Sequence, residues 1–238
     1  IKAATFEGVM PDGAVSDELV EFHRRVAAGG AAMTTVAYCA VSPGGRVQRN
    51  TMVMSDQIVP RLRRLTDAVH SEGALAAAQI GHAGLVANTR SNRTKTLAPS
   101  TRLSPPAMGL VRGATHAELD EVVDQFGRAA RVAVESGFDA IEVHLGHNYL
   151  LSSFLSANLN KRNDEYGGSL ENRMRLPRRA IAAVRAAVGN DVAVTAKVVR
   201  GGVAKQIIKV AQDIDADIIV LGETGRTGLK RLGMGSIA

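Results

Sequence analysis

Short apolar runs alternate with amphipathic stretches along most of the chain. The apolar runs are typical of strands and lie at residues 1–5, 31–37, 74–80, 139–144, 192–198 and 217–221. After the second run, Ile58, Leu62, Leu65 and Val69 recur at the spacing of one helix face. Because strands and helices alternate and the strands are continuously apolar, the pattern predicts an α/β fold with a parallel sheet covered by helices. A barrel and an open doubly wound sheet both satisfy it.

Three predicted helices carry start and stop signals. Thr115 and Glu118 have the spacing of a capping box, in which each side chain bonds the other residue's backbone N–H. Glycines close the helices, since glycine readily adopts the left-handed conformation that ends one. The paired start and end residues are Ser55 and Gly73, Thr115 and Gly137, and Ser169 and Gly189.

Two long connections interrupt this alternation. Residues 81–114 follow the third predicted strand and residues 145–168 follow the fourth. Loops of this length are uncommon in compact domains and usually carry function. Both leave the carboxyl ends of strands, where the active sites of (β/α)8 barrels are built. We therefore expect the functional residues in and beside these two connections.

Composition narrows the class of protein. Among 238 residues, 45% are hydrophobic, which is enough for a substantial core. No run approaches the roughly 18 apolar residues that cross a bilayer, so no membrane span and a cytoplasmic location are expected. Cys39 is the single cysteine, which excludes an internal disulfide and a cysteine-based zinc site. A buried core position is its more common role.

The net charge of +6 raises the question of nucleic-acid binding. Many of the arginines, however, fall on the solvent face of predicted amphipathic helices, where they are simply hydrated. Aromatic residues make up 3% of the chain and tryptophan is absent, so stacking platforms for bases are not expected. A nucleic-acid partner is therefore not predicted.

Specific motifs follow the third and fourth predicted strands. Residues 141–156 read IEVHLGHNYLLSSFLS and residues 163–173 read NDEYGGSLENR. Shorter motifs lie at residues 3–5, 40–46 and 79–84. Over residues 1 to about 198 the chain resembles the old yellow enzyme family, which comprises FMN-dependent ene-reductases and related NADH:flavin oxidoreductases on a (β/α)8 barrel. The resemblance implies hydride transfer from reduced FMN to an activated alkene or enone, with NAD(P)H as electron donor.

The resemblance implies three flavin contacts. Thr5 matches a hydroxyl that bonds the flavin near O4 and N5. Gln79 matches an amide that pairs with the pyrimidine edge through one donor and one acceptor. Lys197 matches a cation beside N1 and O2, where its charge stabilises the reduced flavin anion. Taken alone, a threonine or glutamine at a strand end is more often structural.

The substrate side of the implied site is His144, His147 and Tyr149. The two histidines match a pair that hydrogen-bonds a carbonyl or oxyanion, and Tyr149 matches a phenol that protonates the α-carbon. Three polar groups after one apolar strand are hard to explain as core. Zinc binding by His144 and His147 is not expected, because no third ligand of suitable spacing stands out. The segment 163–173 is expected to be structural.

The C-terminal end of the sequence carries a different pattern. Residues 200–238 resemble the C-terminal part of a universal stress protein, in which a glycine loop after a strand binds phosphate through backbone N–H groups. The resemblance implies nucleotide contacts by Gly222, Gly225, Arg226, Gly235 and Ser236. ATP is therefore the alternative ligand. A glycine-rich connection without any ligand is the simpler alternative.

Together the two resemblances predict a recombined or engineered chimera. Its parts are an old yellow enzyme-like partial barrel at residues 1–199 and a flavodoxin-like stress-protein fragment at residues 200–238, which completes or caps the barrel. Six strand candidates leave an eight-stranded barrel two short, and a second copy of the chain in a homo-oligomer is one source of the missing strands. Three functions stay open: an FMN-dependent reductase, an ATP-binding module, and an inactive scaffold.

Overall fold

The computed structural model describes residues 1–104, 109–189, 202–213 and 215. The chain divides into two units, Ile1–Val192 and Ala193–Ala238. The predicted strands at 192–198 and 217–221 lie outside the described residues. So do Lys197 and the whole glycine loop that includes Gly222, Gly225, Arg226, Gly235 and Ser236.

The first unit alternates strands and helices, as the sequence predicts. Its elements in chain order are α1 (Asp17–Ala28), β1 (Met33–Ala40), β2 (Met52–Val53), α2 (Val59–His70), β3 (Leu75–Gly81), α3 (Thr89–Asn92), β4 (Arg102–Ser104), β5 (Gly109–Val111), α4 (His116–Glu135), β6 (Ala140–Val143), α5 (Leu150–Leu155) and α6 (Leu170–Val188). In the second unit, α7 spans Val203–Asp213. None of the helices in the described part of the chain is both long and apolar enough to span a bilayer.

The main sheet is parallel and has the strand order β2-β1-β3-β6. In its centre Val36 of β1 lies opposite Ala78 of β3, and Ala78 lies opposite Ile141 of β6. β1 and β3 are buried along nearly their whole length, which matches their continuously apolar sequences. The prediction of a parallel sheet covered by helices is thus confirmed for the first unit.

The first predicted strand differs from the expectation. Within residues 1–5, one bridge forms beside β1, between Lys2 and Thr34. Further along, the Glu7 carboxylate accepts a hydrogen bond from the Ala37 backbone N–H at 3.2 Å. The Glu7 side chain therefore accepts a hydrogen bond from a backbone N–H of β1. The parallel pairing of residues 1–5 with β1 does not continue past the bridge.

The helix signals agree with the observed ends of α4 and α6, but the predicted start of α2 at Ser55 is wrong. Ser55 makes no capping hydrogen bond and precedes a 3-10 turn, Asp56–Ile58, so that α2 begins at Val59. Thr115 caps α4 with both hydrogen bonds of a capping box, and Ser169 caps α6 by accepting from the Asn172 backbone N–H. Beyond the ends of α2 and α4, Gly73 and Gly137 have φ of 79° and 80°. The apolar faces of α2, α4 and α6 contribute to one core that includes Leu62, Phe126 and Leu176, all fully buried.

The two long connections contain structure that the pattern did not predict. α3 and an antiparallel pair, β4 with β5, lie in the connection after β3. α5 lies in the connection after β6. These elements are three to six residues long, too short for a periodic signal. Both connections leave the carboxyl end of the sheet, where the candidate site lies.

Candidate active site at the carboxyl end of the sheet

The carboxyl ends of β1, β3 and β6 meet beside Gly81. The Val41 N–H donates to the Gly81 carbonyl at 3.0 Å, and the His144 N–H donates to the Ile80 carbonyl at 2.9 Å. The parallel hydrogen bonding thus continues one residue beyond the strand ends on both sides of β3. It fixes the backbone from which the candidate side chains project.

Gly81 leaves room for two rings. A Cβ atom at this position would lie 2.7 Å from Cε2 of Tyr38 and 2.9 Å from Cβ of His144. Both distances are shorter than carbon atoms tolerate without displacement. The side chains of Tyr38 and His144 therefore approach each other over a residue that has none.

The connection after β6 turns back on the sheet. His147 and Asn148 have φ of 58° and 57°, in the left-handed region that is unusual outside glycine. The Tyr149 N–H then donates to the Gly146 carbonyl at 3.0 Å, and the Leu150 N–H donates to the His82 carbonyl at 2.8 Å. The turn brings His147 and Tyr149 back to His144 before α5 begins.

These three side chains form one cluster, as the sequence predicts. Nδ1 of His147 lies 3.0 Å from Nε2 of His144, a hydrogen bond in which one ring donates and the other accepts. The ring of Tyr149 lies edge-on to His144, with centroids 4.7 Å apart, and 5.8 Å from the ring of His147. Two imidazoles and a phenol therefore share one small region.

Burial keeps His144 and Tyr149 uncharged. Burial, together with the smaller effect of the nearby His147, lowers the pKa of His144 to about 4. Burial likewise raises the pKa of the Tyr149 phenol. At neutral pH His144 is a neutral imidazole and Tyr149 keeps its proton. Both can therefore donate a hydrogen bond without first losing or gaining charge.

The predicted flavin contacts differ in their surroundings. Gln79 is buried in β3, and its Nε2 donates to Oε1 of Glu142 on β6 at 2.7 Å. Thr5 is exposed and lies beyond the bridge that Lys2 forms with Thr34. Gln79 thus lies on β3, the neighbour of β6, and β6 leads directly into the connection that carries His144. The roles of Thr5, Gln79 and Lys197 as flavin ligands stay predictions.

Two further aromatic residues at this edge were missed by the sequence analysis. Tyr38 is buried at the end of β1, with its ring centroid 5.4 Å from that of Tyr149 and 5.9 Å from that of His144. His82 is buried after β3, its Nδ1 accepts from the Gly84 N–H at 3.1 Å, and burial lowers its pKa to about 4. His82 lies within a quoted motif, whereas Tyr38 sits inside an apolar run that gives no separate signal.

One cluster could offer ligands to a metal ion. His116, Asp164 and Glu165 place one ligand atom each within 4.8 Å of one another. Nε of Arg162, however, donates to both oxygens of Asp164, at 2.9 Å and 3.1 Å. This carboxylate is already paired with a cation, and the pairing anchors the segment 163–173, in agreement with the structural role expected for it.

We predict that Gly81→Ala destabilises the first unit. The added methyl group has no free space beside Tyr38 and His144, and overpacking of this kind costs about 1–3 kcal/mol. Urea denaturation measures the change. Gly109→Ala is the matched control, because a Cβ there meets no atom within 4 Å. Equal stability of the two variants would contradict the packing described at Gly81.

We predict a stability change with pH that originates in His82 and His144. Their folded pKa values of about 4 lie below the ordinary 6.5, so between these values the unfolded chain binds more protons. Stability therefore falls on acidification from about pH 7 to about pH 5, measured by urea midpoints. His82→Gln with His144→Gln flattens this dependence. Leu62→Ala, a core control, lowers both midpoints and leaves the dependence intact.

Comparisons with known proteins bear on the family and the fold of the chain. The model of the NADH:flavin oxidoreductase / NADH oxidase family matches residues 2–230. The match runs past the junction expected near residue 200, and it supports an α/β barrel-type fold. The stress-protein resemblance of residues 200–238 stays a prediction.

Two curated relatives show the range of similarity. The chain is 72% identical over 223 residues to the 4,4'-dithiodibutanoate disulfide reductase of Rhodococcus erythropolis, covering 91% of this chain and 55% of that protein. It is 40% identical over 144 residues to the putative 12-oxophytodienoate reductase 2 of Oryza sativa subsp. japonica, covering 58% of this chain and 38% of that protein. The chain thus spans about half the length, or less, of these relatives.

Solved structures show the same fold. An old yellow enzyme homologue from Zymomonas mobilis superposes with a TM-score of 0.72 at 27% identity, covering 79% of this chain and 56% of that one. A 2-naphthoyl-CoA reductase superposes with a TM-score of 0.74 at 28% identity, covering 79% of this chain and 31% of that one. On the family match, which covers most of its length, the chain belongs to the NADH:flavin oxidoreductase / NADH oxidase family.

Proposed function

We propose that this chain carries the acceptor site of an FMN-dependent oxidoreductase that reduces a small molecule with electrons from NAD(P)H. The observation that carries the proposal is the cluster of His144, His147 and Tyr149 at the carboxyl end of a parallel sheet. Family membership supports the choice of FMN and of a nicotinamide donor. FMN, when bound, supplies a hydride to the acceptor.

The buried amide of Gln79 fits one edge of a flavin. Its Nε2 already donates one hydrogen to Glu142, which orients the side chain. A second N–H and the carbonyl oxygen of the same amide remain. A donor beside an acceptor matches the alternating carbonyl and N–H groups of a pyrimidine edge. We assign this recognition to Gln79, and Thr5 and Lys197 as further flavin contacts stay predictions.

The two histidines are suited to hold a polarised acceptor. The bond between Nδ1 of His147 and Nε2 of His144 uses one nitrogen of each ring. Since His144 is neutral, its imidazole stabilises developing negative charge by hydrogen bonding, without the desolvation cost of a buried cation. His147 is exposed and lies on the solvent side of the pair. An acceptor oxygen would contact this side.

Tyr149 is suited to deliver a proton. Its pKa is raised by burial, so the phenol is protonated at neutral pH. In alkene reduction, hydride adds to the β-carbon and the phenol proton adds to the α-carbon, which gives the saturated product. The tyrosinate that remains is then reprotonated from water. The half-buried position of Tyr149 allows this exchange with solvent.

An organic disulfide is the second acceptor class to consider. The relative that is 72% identical over 223 residues is a disulfide reductase. Reduction of a disulfide takes two electrons and two protons, breaks the S–S bond and gives two thiols. Because a thiolate is a stable leaving group near neutral pH, this reaction depends less on a positioned proton donor. The two acceptor classes therefore make different demands on Tyr149.

The alternative ligand and assembly stay predictions. ATP binding at Gly222, Gly225, Arg226, Gly235 and Ser236 rests on the stress-protein resemblance alone. The chimera rests on the two resemblances together. A homo-oligomer rests on the count of strand candidates. Titration of the purified chain with FMN and with ATP separates the ligands. Retained flavin and a raised melting temperature with FMN support our proposal, whereas stabilisation by ATP alone contradicts it.

We predict that Tyr149→Phe separates the two acceptor classes. With an enone and NAD(P)H, loss of the positioned proton donor lowers turnover by about 10²-fold or more. With an aliphatic disulfide the loss is smaller. Stopped-flow kinetics of flavin reoxidation measures both rates. Tyr166→Phe is the control, because Tyr166 packs against Phe154 and His116, away from the cluster. Unchanged enone turnover in Tyr149→Phe would refute the proton-donor role.

A further inference from the structure

Tyr38 packs behind the cluster without belonging to it. Its ring stands edge-on to Tyr149, with centroids 5.4 Å apart and an interplanar angle of 82°. It is also edge-on to His144, at 5.9 Å and 70°. Edge-to-face pairs at such distances are the favoured arrangement of aromatic rings. One buried ring from β1 thus contacts two rings from the connection after β6.

The Tyr38 ring is itself held in place. Its hydroxyl donates to the Gly45 carbonyl at 3.0 Å, which ties the ring to the turn Pro43–Gly45. Its Cε2 occupies the space above Gly81 that a side chain would otherwise take. Burial leaves 4% of the residue exposed, so the ring has no room to swing towards solvent. The Tyr38 ring is therefore a rigid surface against which Tyr149 and His144 pack.

Tyr149 has fewer constraints of its own. It precedes α5 and makes no side-chain capping hydrogen bond there. Its position follows two residues with left-handed backbone, in a turn whose tip is exposed. Apart from the two histidines, it packs against the small buried group of Ala37, Tyr38 and Ala40 at the end of β1. Of these three side chains, Tyr38 alone offers a ring.

We propose that Tyr38 is a positioning residue that fixes the orientation of Tyr149 and His144 towards the acceptor. The proposal rests on the proposed function for its kinetic consequence, and on packing alone for its structural consequence. A proton donor displaced by about 1 Å can lose about 10² in rate. Removal of the Tyr38 ring therefore lowers enone turnover, although Tyr38 need not touch the acceptor.

The kinetic test compares three variants. Tyr38→Met replaces the ring by a smaller, flexible side chain, Tyr38→Phe keeps the ring and removes the hydroxyl, and Phe126→Leu removes a buried ring of α4 from the other hydrophobic core. We expect kcat for an enone to fall about 10- to 100-fold in Tyr38→Met with little change in KM. In Tyr38→Phe, which keeps the ring, kcat stays close to the wild-type value. Phe126→Leu keeps kcat at the wild-type level.

Histidine NMR gives a second measurement that needs no flavin. The groups that face His144 are Tyr38 from β1, the backbone of Gly81 from β3, and His147 and Tyr149 from its own connection. Without the Tyr38 ring, water reaches His144 and the desolvation that depresses its pKa weakens. The titration midpoint of His144 therefore rises towards 6.5 in Tyr38→Met and does not move in Phe126→Leu.

The two measurements separate the two hypotheses. If the wild-type chain neither binds FMN nor reduces an acceptor, the proposed function fails, and the His144 titration still decides whether Tyr38 orders the cluster. An unchanged His144 midpoint in folded Tyr38→Met overturns the positioning role. So does an equal loss of kcat in Phe126→Leu. If Tyr38→Met does not fold, a large loss of kcat in Tyr38→Phe without a change in His144 contradicts the proposal, because the ring is still present.

Discussion

The close approach of β1, β3 and β6 at Gly81 is the constraint on which the site depends. A parallel register brings the carboxyl ends of these strands to the same edge, and a residue without a side chain lets Tyr38 and His144 meet above the central strand. The turn after β6 then adds His147 and Tyr149. Packing at one backbone position thus decides whether four rings assemble.

The same packing sets the chemistry of the rings. Because His144 and Tyr149 are partly or fully removed from water, the charged form of each is disfavoured. The site therefore offers neutral hydrogen-bond donors, which suits an acceptor that gains negative charge during the reaction. Hydration of the cluster would weaken this property even with every side chain present. Tyr38 therefore has two roles in the proposal: it orients the neighbouring rings, and it excludes water from them.

The sequence predicts those features that have a periodic pattern or that depend on neighbouring residues. The capping box at Thr115 and the helix faces are fixed by neighbouring residues, and His144, His147 and Tyr149 stand out as polar groups after an apolar strand. Tyr38 could not be found in this way, since its role comes from contacts with residues more than a hundred positions away. The hydrogen bond from the Ala37 N–H to the Glu7 side chain, 30 residues away, is also non-local, and it lies beyond the one bridge that residues 1–5 form.

All residues of the ring cluster lie in one of the two units of the chain. Tyr38, Gly81, His144, His147 and Tyr149 all belong to the first unit, Ile1–Val192. Ring packing and histidine titration therefore depend on this unit's own strands and turns. Flavin affinity, in contrast, draws on every residue that contacts the cofactor. Loss of flavin with an intact His144 titration would thus locate a defect outside the ring cluster.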